Sequence, residues 1–293
     1  NENIVVIDAD LAKPNGTFPL RKKYPERAID VGIAEQNMAS VAAGMSSYGF
    51  IPFITSFTPF ASRRICDQIA ISIAYAKQNV KIIGSDPGIS AEFNGGTHMS
   101  MEDIGVLRSI PELVIYEPVD VAQFKQALPQ IVAYEGPVYI RMFRKTIDDV
   151  FTDANYKFDL FGADCIQEGT AVTIFCSGIM VQETMKANEI LKQEGIDAEI
   201  INIHTIKPID RDAVVASAKK TGAVVVAENH NVIGGLTSAV CEVLMEEYPV
   251  PLRAVGVKDR FGQVGKMPFL KEEYHMTAKD IVSAVKEVIQ LNQ

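Results

Sequence analysis

The chain has 293 residues, of which 47% are hydrophobic and 22% are charged, a composition typical of a globular protein large enough for two domains. Its 28 basic and 37 acidic residues give a net charge of −9, and the basic residues are scattered along the sequence. This distribution argues against nucleic acid or an anionic membrane as the main partner. No apolar run reaches the length of about 18 residues that a membrane-spanning helix requires.

Short apolar segments alternate with helix-like segments through the first half of the chain. The apolar segments predict strands over residues 4–7, 28–33, 52–55, 80–84, 113–116 and 138–142. Helices are predicted over residues 34–48, 59–78 and 121–134. A glycine-rich loop over 85–99 follows the fourth strand, and Ser100 with Asp103 predicts a capping box that begins a short helix ending at Arg108.

The second half repeats this alternation after residues 146–166, a segment rich in Asp, Asn and Phe that has no clear hydrophobic period. It predicts strands over 171–176, 198–203, 223–227 and 252–257, and helices over 181–193, 211–219, 235–247 and 278–290. The last helix begins in a capping box formed by Thr277 and Asp280. Apolar strands alternating with helices indicate parallel sheets covered on both faces. The predicted fold is therefore α/β, with two doubly wound domains of mainly parallel sheets over 1–150 and 169–293 and a linker over 151–168.

The cysteines and histidines show no spacing that suits a metal ion. The cysteines lie far apart, at positions 66, 165, 176 and 241. We interpret them as reduced core thiols of a cytoplasmic protein, with a disulfide as the less favoured alternative. Because the chain starts at Asn1, without Met, just before a strand-like segment, we expect it to begin inside a longer gene product.

A carboxylate at the start of the first predicted helix is the first candidate for chemistry. Glu35 shares its helix face with Ala39 and Ala42, and the helix is small or apolar on nearly every face. One interpretation is a glutamate that favours the positive end of the helix dipole. The other is a carboxyl group in a dry site, where its pKa rises and it can share a proton with a ligand.

Aromatic residues mark the next strand-to-helix junction. Phe57, Phe60 and Arg63 recur every three residues. Core packing is the favoured explanation for aromatic residues at this spacing, but two rings and a guanidinium also suit a flat heterocycle.

The glycine-rich loop after the fourth strand crowds Asp86, Asn94 and His98 into one segment. Since ligand sites of parallel sheets collect at the carboxyl ends of strands, these side chains indicate a site for a polar ligand. In the second half, Gly234 and Gly235 precede a helix, which fits a tight turn better than an anion site.

Six motifs resemble those of transketolases, in the same order and at similar spacing. They are GIAEQNM (32–38), SFTPFASRRICDQ (56–68), GGTH (95–98), LRSIP (107–111), YIRMFR (139–144) and HTIKPID (204–210). The resemblance covers nearly the whole chain and implies a pyrimidine-binding domain over 1–150 followed by a transketolase C-terminal domain. The GDG motif of the family's diphosphate-binding domain is absent from the sequence. The resemblance therefore implies the C-terminal subunit of a split transketolase.

The resemblance also implies an activity and its partners. A transketolase transfers a two-carbon ketol group from a ketose to an aldose by means of thiamine diphosphate. An N-terminal-domain partner subunit would hold the diphosphate together with Mg²⁺ or Ca²⁺, so no metal ligand is expected in this chain. The implied assembly is α2β2 and cytoplasmic, with each active site between subunits.

Residue roles follow from the same match. Glu35 and His98 are the implied catalytic residues: Glu35 hydrogen-bonds the pyrimidine ring of the cofactor, and His98 contacts substrate oxygens. Phe57 and Phe60 would pack on the pyrimidine. Arg63 would lie at its rim and Asp10 near the thiazolium ring. The implied substrate-binding residues are Asp86, Asn94, His98 and Arg144.

Three departures from the family pattern concern the substrate. Asp86 stands where many transketolases have a phosphate-binding His, Pro14 where they have a Ser, and Asn94 where they have an Asp. A carboxylate about 5 Å from a phosphate charge costs roughly 3 kcal/mol at an effective dielectric constant near 20, or about two powers of ten in affinity, unless another cation compensates. We therefore expect a non-standard sugar specificity, with Arg144 and Arg141 available for another anionic group.

Two alternatives remain open. One is another thiamine enzyme, either the β subunit of a 2-oxoacid dehydrogenase or a relative of deoxyxylulose-phosphate synthase, since both have a glutamate at the position of Glu35. The other is a non-catalytic paralogue that acts as a binding module, which the retention of Glu35, Phe57, Phe60 and His98 argues against.

Overall fold

The computed structural model of the chain describes residues 1–292. Within this range the strands are β1 (Ile4–Asp8), β2 (Ala28–Asp30), β3 (Ile51–Phe57), β4 (Lys81–Ser85), β5 (Val114–Tyr116), β6 (Val138–Met142), β7 (Asp164–Gln167), β8 (Val172–Cys176), β9 (Ala198–Asn202), β10 (Thr205–Lys207), β11 (Val224–Asn231) and β12 (Leu252–Val257). The α-helices are α1 (Phe18–Lys23), α2 (Glu35–Ser47), α3 (Asp103–Arg108), α4 (Val121–Ala133), α5 (Met180–Gln193), α6 (Arg211–Thr221), α7 (Leu236–Glu247), α8 (Met267–Glu273) and α9 (Ala278–Leu291).

The strands form two mainly parallel sheets. The first has the order β10-β5-β6-β4-β3-β1-β2 and is parallel except where β10 pairs with β5. The second has the order β12-β11-β8-β9-β7 and is parallel except where β7 pairs with β9. The predicted α/β fold class is confirmed. Because β10 comes from the second half of the chain, the first sheet joins residues of both halves.

The central strands are apolar because their side chains are buried on both faces. Ile54 of β3 and Ile82 of β4 have no exposed surface, and Met38 of α2 lies in the same core cluster. Each fully buried side chain of this size stabilises the fold by about 1.5–3 kcal/mol. Polar groups are thereby left to the ends of the strands, where a ligand site can form.

The predicted helix over residues 59–78 is wrong in type. This segment contains a 3-10 turn at Arg63–Ile65, followed by a π-helix at Gln68–Tyr75. An apolar pattern predicts helical structure without distinguishing these tighter and wider forms. π-Helical turns are rare and often accompany functional sites.

One of the two predicted capping boxes is wrong. The N-cap residue of α3 is Glu102, and the carboxylate of Asp103 instead accepts a hydrogen bond from Nε of buried Arg141 at 2.8 Å. Because α3 begins at Asp103, this residue is not at the third helical position that a capping box with Ser100 requires. The box formed by Thr277 and Asp280 at the start of α9 is confirmed.

The predicted linker over 151–168 contains β7, which belongs to the second sheet. This strand was missed because it is short and pairs at a sheet edge, where no apolar run is needed. The domain boundaries at 150 and 169 stay predictions.

The cysteines within residues 1–292 are all free thiols. Cys176 is buried, as predicted, whereas Cys165 is exposed, so the expectation of a core thiol is wrong there. Within the same range, no helix combines the length and apolarity needed to cross a bilayer.

Candidate active site

The carboxyl ends of β3, β4 and β6 lie side by side in the first sheet. β3 ends at Phe57, β4 ends next to Asp86, and β6 ends two residues before Arg144. Ligand sites of parallel α/β sheets form at this edge. The strand order therefore brings together side chains that are far apart in the sequence.

Phe57, Phe60 and His98 form an aromatic cluster at this edge. The His98 ring centroid lies 5.5 Å from that of Phe57 and 5.1 Å from that of Phe60, and the rings meet edge to face. Nδ1 of His98 is 2.9 Å from the hydroxyl oxygen of Thr97. The three rings are half-buried, so they present a partly exposed aromatic surface that suits contact with a flat ring.

Glu35 is the first residue of α2, and it is only 5% exposed. Its Oε1 accepts a hydrogen bond from Nη1 of Arg64 at 2.9 Å, and that guanidinium lies 3.8 Å from the centroid of the Phe60 ring. The other carboxyl oxygen of Glu35 forms no hydrogen bond within residues 1–292. A buried carboxyl group thus lies beside the aromatic cluster with one oxygen free for a ligand.

Two adjacent arginines have different partners. Nη1 of Arg63 lies 2.5 Å from Oε1 of Glu102, whereas Arg64 contacts Glu35 and Phe60. Successive residues of a 3-10 turn are rotated by about 120°, which separates the two side chains. Arg63 was a predicted site residue and Arg64 was not, because nothing in an Arg-Arg pair reveals the local turn.

Asp86 and Arg144 form an ion pair at the mouth of the site. Asp86 is 1% exposed, and its Oδ2 accepts hydrogen bonds from Nε of Arg144, at 2.8 Å, and from Nη2. Nη1 of Arg144 donates to the carbonyl oxygen of Pro14, and the guanidinium lies 5.0 Å from the Phe57 centroid. A guanidinium has five N–H groups, so about two remain free on a side chain that is 25% exposed. Arg144 is therefore the cation that compensates Asp86.

Asp10 and Asn94 lie on exposed segments near this edge. The backbone N–H of Asp10 donates to Oδ1 of Asp30 at 3.0 Å, and its φ is 61°. Asn94 ends the 3-10 segment Gly88–Asn94, and its side chain forms no hydrogen bond within the part of the chain that the structure describes. The roles implied for both residues remain predictions.

Arg141 is buried and fully engaged, which overturns the expectation that it could hold a substrate anion. Its guanidinium donates to Asp103, to Oε1 of Glu117 at 2.6 Å, and to the carbonyl oxygen of Asn229 at 2.7 Å. Only 1% of the residue is exposed. Arg141 thus joins the first sheet to the second half of the chain.

At the N-terminus of α7, which follows Gly234-Gly235, a side chain of the protein itself occupies the free backbone N–H groups. The carboxylate of Glu228 accepts hydrogen bonds from the backbone N–H groups of Leu236, at 2.7 Å, and of Thr237, at 3.0 Å. Burial raises the pKa of Glu228 to about 7. A Cβ at Gly235 would lie 2.0 Å from Oε2 of Glu228, so this glycine serves close packing.

One group of possible metal ligands occurs within residues 1–292, formed by Cys165, Glu168 and Glu199. It belongs to the second sheet, and Nζ of Lys220 hydrogen-bonds both glutamates. An internal cation thus balances one of the two carboxylate charges, and the cluster has no part in the site at the first sheet.

Comparison with known proteins identifies the family. Residues 1–148 match the transketolase pyrimidine-binding domain, and residues 162–281 match the transketolase C-terminal domain. The chain is 54% identical over 290 residues to the 6-deoxy-6-sulfo-D-fructose transketolase subunit SqwH of Clostridium sp. (strain MSTE9), covering 99% of this chain and 90% of the relative. It is 31% identical to an apulose-4-phosphate transketolase subunit of Phocaeicola vulgatus, covering 99% of this chain and 93% of that relative.

A solved structure described as a split gene transketolase, inactive beta4 tetramer, has the same fold. Its TM-score is 0.91 at 43% sequence identity, over 100% of this chain and 94% of that one. The predicted order, a pyrimidine-binding domain followed by a C-terminal domain, is found in the family matches. The chain belongs to the transketolase family and is a subunit of the split kind.

Proposed function

We propose that this subunit serves a transketolase whose ketose donor carries a terminal monoanion, the sulfonate of a 6-deoxy-6-sulfoketose. The observation that supports this donor is the Asp86–Arg144 ion pair. The relative named for 6-deoxy-6-sulfo-D-fructose supports it independently. An aldose accepts the two-carbon group.

The charge of the pair favours a sulfonate over a phosphate. A phosphate monoester carries about −1.5 to −2 charges at pH 7, whereas a sulfonate carries one. Asp86 already neutralises Arg144, so the pair offers N–H donors with little net charge. A monoanion with three acceptor oxygens can use the free N–H groups of Arg144 at a smaller electrostatic cost than a dianion.

The residues beside the ion pair fit the pyrimidine of thiamine diphosphate. Phe57 and Phe60 offer ring surface, and the free carboxyl oxygen of Glu35 can bond a ring nitrogen. When bound, this cofactor supplies the electron sink for cleavage and formation of carbon–carbon bonds. Glu35 would hold a proton at the ring nitrogen, and His98 would orient substrate oxygens at the aromatic cluster.

We assign the diphosphate and its Mg²⁺ or Ca²⁺ to a partner subunit. No carboxylate cluster at the first sheet suits a metal within residues 1–292. The subunit would therefore work in an assembly with an N-terminal-domain partner, for which we propose α2β2. The free thiols fit a cytoplasmic location.

The test reconstitutes the chain with its partner subunit, thiamine diphosphate and Mg²⁺. We expect kcat/KM for 6-deoxy-6-sulfofructose to exceed that for fructose 6-phosphate and xylulose 5-phosphate by at least about tenfold. Decarboxylation of pyruvate, measured in parallel, tests the synthase alternative. A preference for either phosphosugar would refute the proposed donor.

A further inference from the structure

The loop that carries the substrate-binding candidates has a strained start. Asp86 and Glu92 have φ values of 54° and 45°, a region that residues other than glycine seldom adopt, and Gly88 between them has a φ of 55°. Such conformations persist only where the surroundings hold them in place. The loop therefore depends on contacts outside itself.

Asn229, from the second half of the chain, supplies the central contact. Its Nδ2 donates to the carbonyl oxygen of Pro87 at 2.9 Å, and its Oδ1 accepts from the backbone N–H of Ile89 at 3.0 Å. One side-chain amide thus grips the backbone on both sides of Gly88. A Cβ at Gly88 would lie 2.2 Å from Oδ1 of Asn229, so the glycine permits the close approach.

Asn229 is itself held at its backbone. It lies near the end of β11, where the register with β12 shifts, and such irregularities re-aim side chains. Its carbonyl oxygen accepts the hydrogen bond from buried Arg141, and only 1% of Asn229 is exposed. Arg141 and Arg144 lie three residues apart on one chain segment. The same segment therefore positions the residue that holds the Asn229 backbone and the residue that pairs with Asp86.

We propose that Asn229 is a positioning residue for donor specificity: it fixes the backbone at 87–89 so that Asp86 meets Arg144 in the geometry that favours a monoanion. This inference rests on the proposed function, because that function makes the Asp86–Arg144 pair the binding site for the donor's terminal group. Asn229 itself lies in the second sheet. The C-terminal domain thereby acts on substrate choice without supplying a side chain to the substrate.

The experiment compares Asn229→Ala with a matched control, Asn188→Ala. Asn188 is a fully buried asparagine of α5 whose amide atoms lack hydrogen-bond partners within residues 1–292. Hydrogen exchange of the full chain reports the Ile89 amide directly, and the reconstituted complex reports kcat/KM for the sulfonated and phosphorylated ketoses. Should Asn229→Ala fail to fold, Asn229→Ser removes the same side-chain amide from the loop while it keeps a buried hydroxyl.

We expect the Ile89 amide to exchange at least about tenfold faster in Asn229→Ala and at the wild-type rate in Asn188→Ala. The preference for the sulfonated ketose should fall about tenfold, mainly through KM, since small displacements of binding groups have effects of this order. Equal exchange in the two variants, or an equal loss for both ketoses, would overturn the inference. If the Ile89 amide exchanges faster in Asn229→Ala but the wild-type complex prefers phosphosugars, the proposed donor is refuted. The role of Asn229 in holding the loop then stands.

Discussion

Replacing Asp86 with asparagine removes one negative charge from the mouth of the site and keeps the size of the side chain. In the wild type, Oδ2 of Asp86 lies 2.8 Å from Nε of Arg144. An anion bound to the free N–H groups of Arg144 would lie about 5 Å from the Asp86 carboxylate, where two unit charges repel by roughly 3 kcal/mol at an effective dielectric constant of 20. Because Arg144 is 25% exposed, screening by solvent reduces this repulsion to about 1.5 kcal/mol.

The change should therefore help both donors, and the phosphorylated donor more. A phosphate carries up to one charge more than a sulfonate, so the ratio of kcat/KM for fructose 6-phosphate to that for the sulfonated ketose should rise about tenfold in Asp86→Asn. Higher ionic strength should diminish the rise, because the Debye length shortens. The measurement is the ratio of kcat/KM in the reconstituted complex at two salt concentrations.

Glu92→Gln is the matched control. Glu92 lies in the same loop and pairs with Lys145, the neighbour of Arg144, so the substitution removes one charge from the same segment. We expect it to leave the donor ratio within about twofold of wild type, because Lys145 and not Arg144 loses its partner. If Asp86→Asn lowers kcat/KM for both donors by the same factor, Asp86 only anchors Arg144, and the charge argument for specificity is refuted.

Two further predictions concern the carboxyl group that we propose as catalytic and a buried lysine. Glu35→Gln should lower kcat about 10²- to 10⁴-fold while assembly with the partner, measured by analytical ultracentrifugation, is unchanged; activity within about tenfold of wild type would contradict the assigned role. Burial lowers the pKa of Lys81 to about 7. Between about pH 7 and 10.5 this lysine is therefore protonated in the unfolded chain and neutral in the folded chain. The free energy of unfolding consequently rises with pH in that window. Lys81→Met should reduce this slope by up to about 1.4 kcal/mol per pH unit in urea titrations, and an unchanged slope would show that Lys81 does not titrate as proposed.

The fold was predictable where burial on both faces requires an unbroken apolar run. β3, β4 and β8 are covered in this way, so each is recognisable in the sequence as a short apolar segment between helices. β7 and β10 were missed because each is short and lies at the antiparallel edge of a sheet. Their pairing depends on where the rest of the chain has already placed the neighbouring strand.

The candidate site was predictable as a set of residues and not as a set of contacts. Asp86 and Arg144 are 58 positions apart, and only the adjacency of β4 and β6 brings them together. Both residues were therefore named from the sequence, but their pairing with each other was not predicted. Arg64 was missed for a local reason of the same kind, since a 3-10 turn and not an α-helix decides which arginine reaches Glu35.

The loop over residues 85–99 is held by contacts from both halves of the chain. Arg144 follows β6 of the first sheet, Asn229 comes from β11 of the second, and the backbone N–H of Met267 at the start of α8 donates to Oε1 of Glu92 at 2.8 Å. β10 also crosses from the second half to the first sheet. Without the second half of the chain, the loop would lose the contacts with Asn229 and Met267 that hold its strained backbone. All of these contacts form between residues of this chain, so the donor-binding geometry that we propose can be built within it.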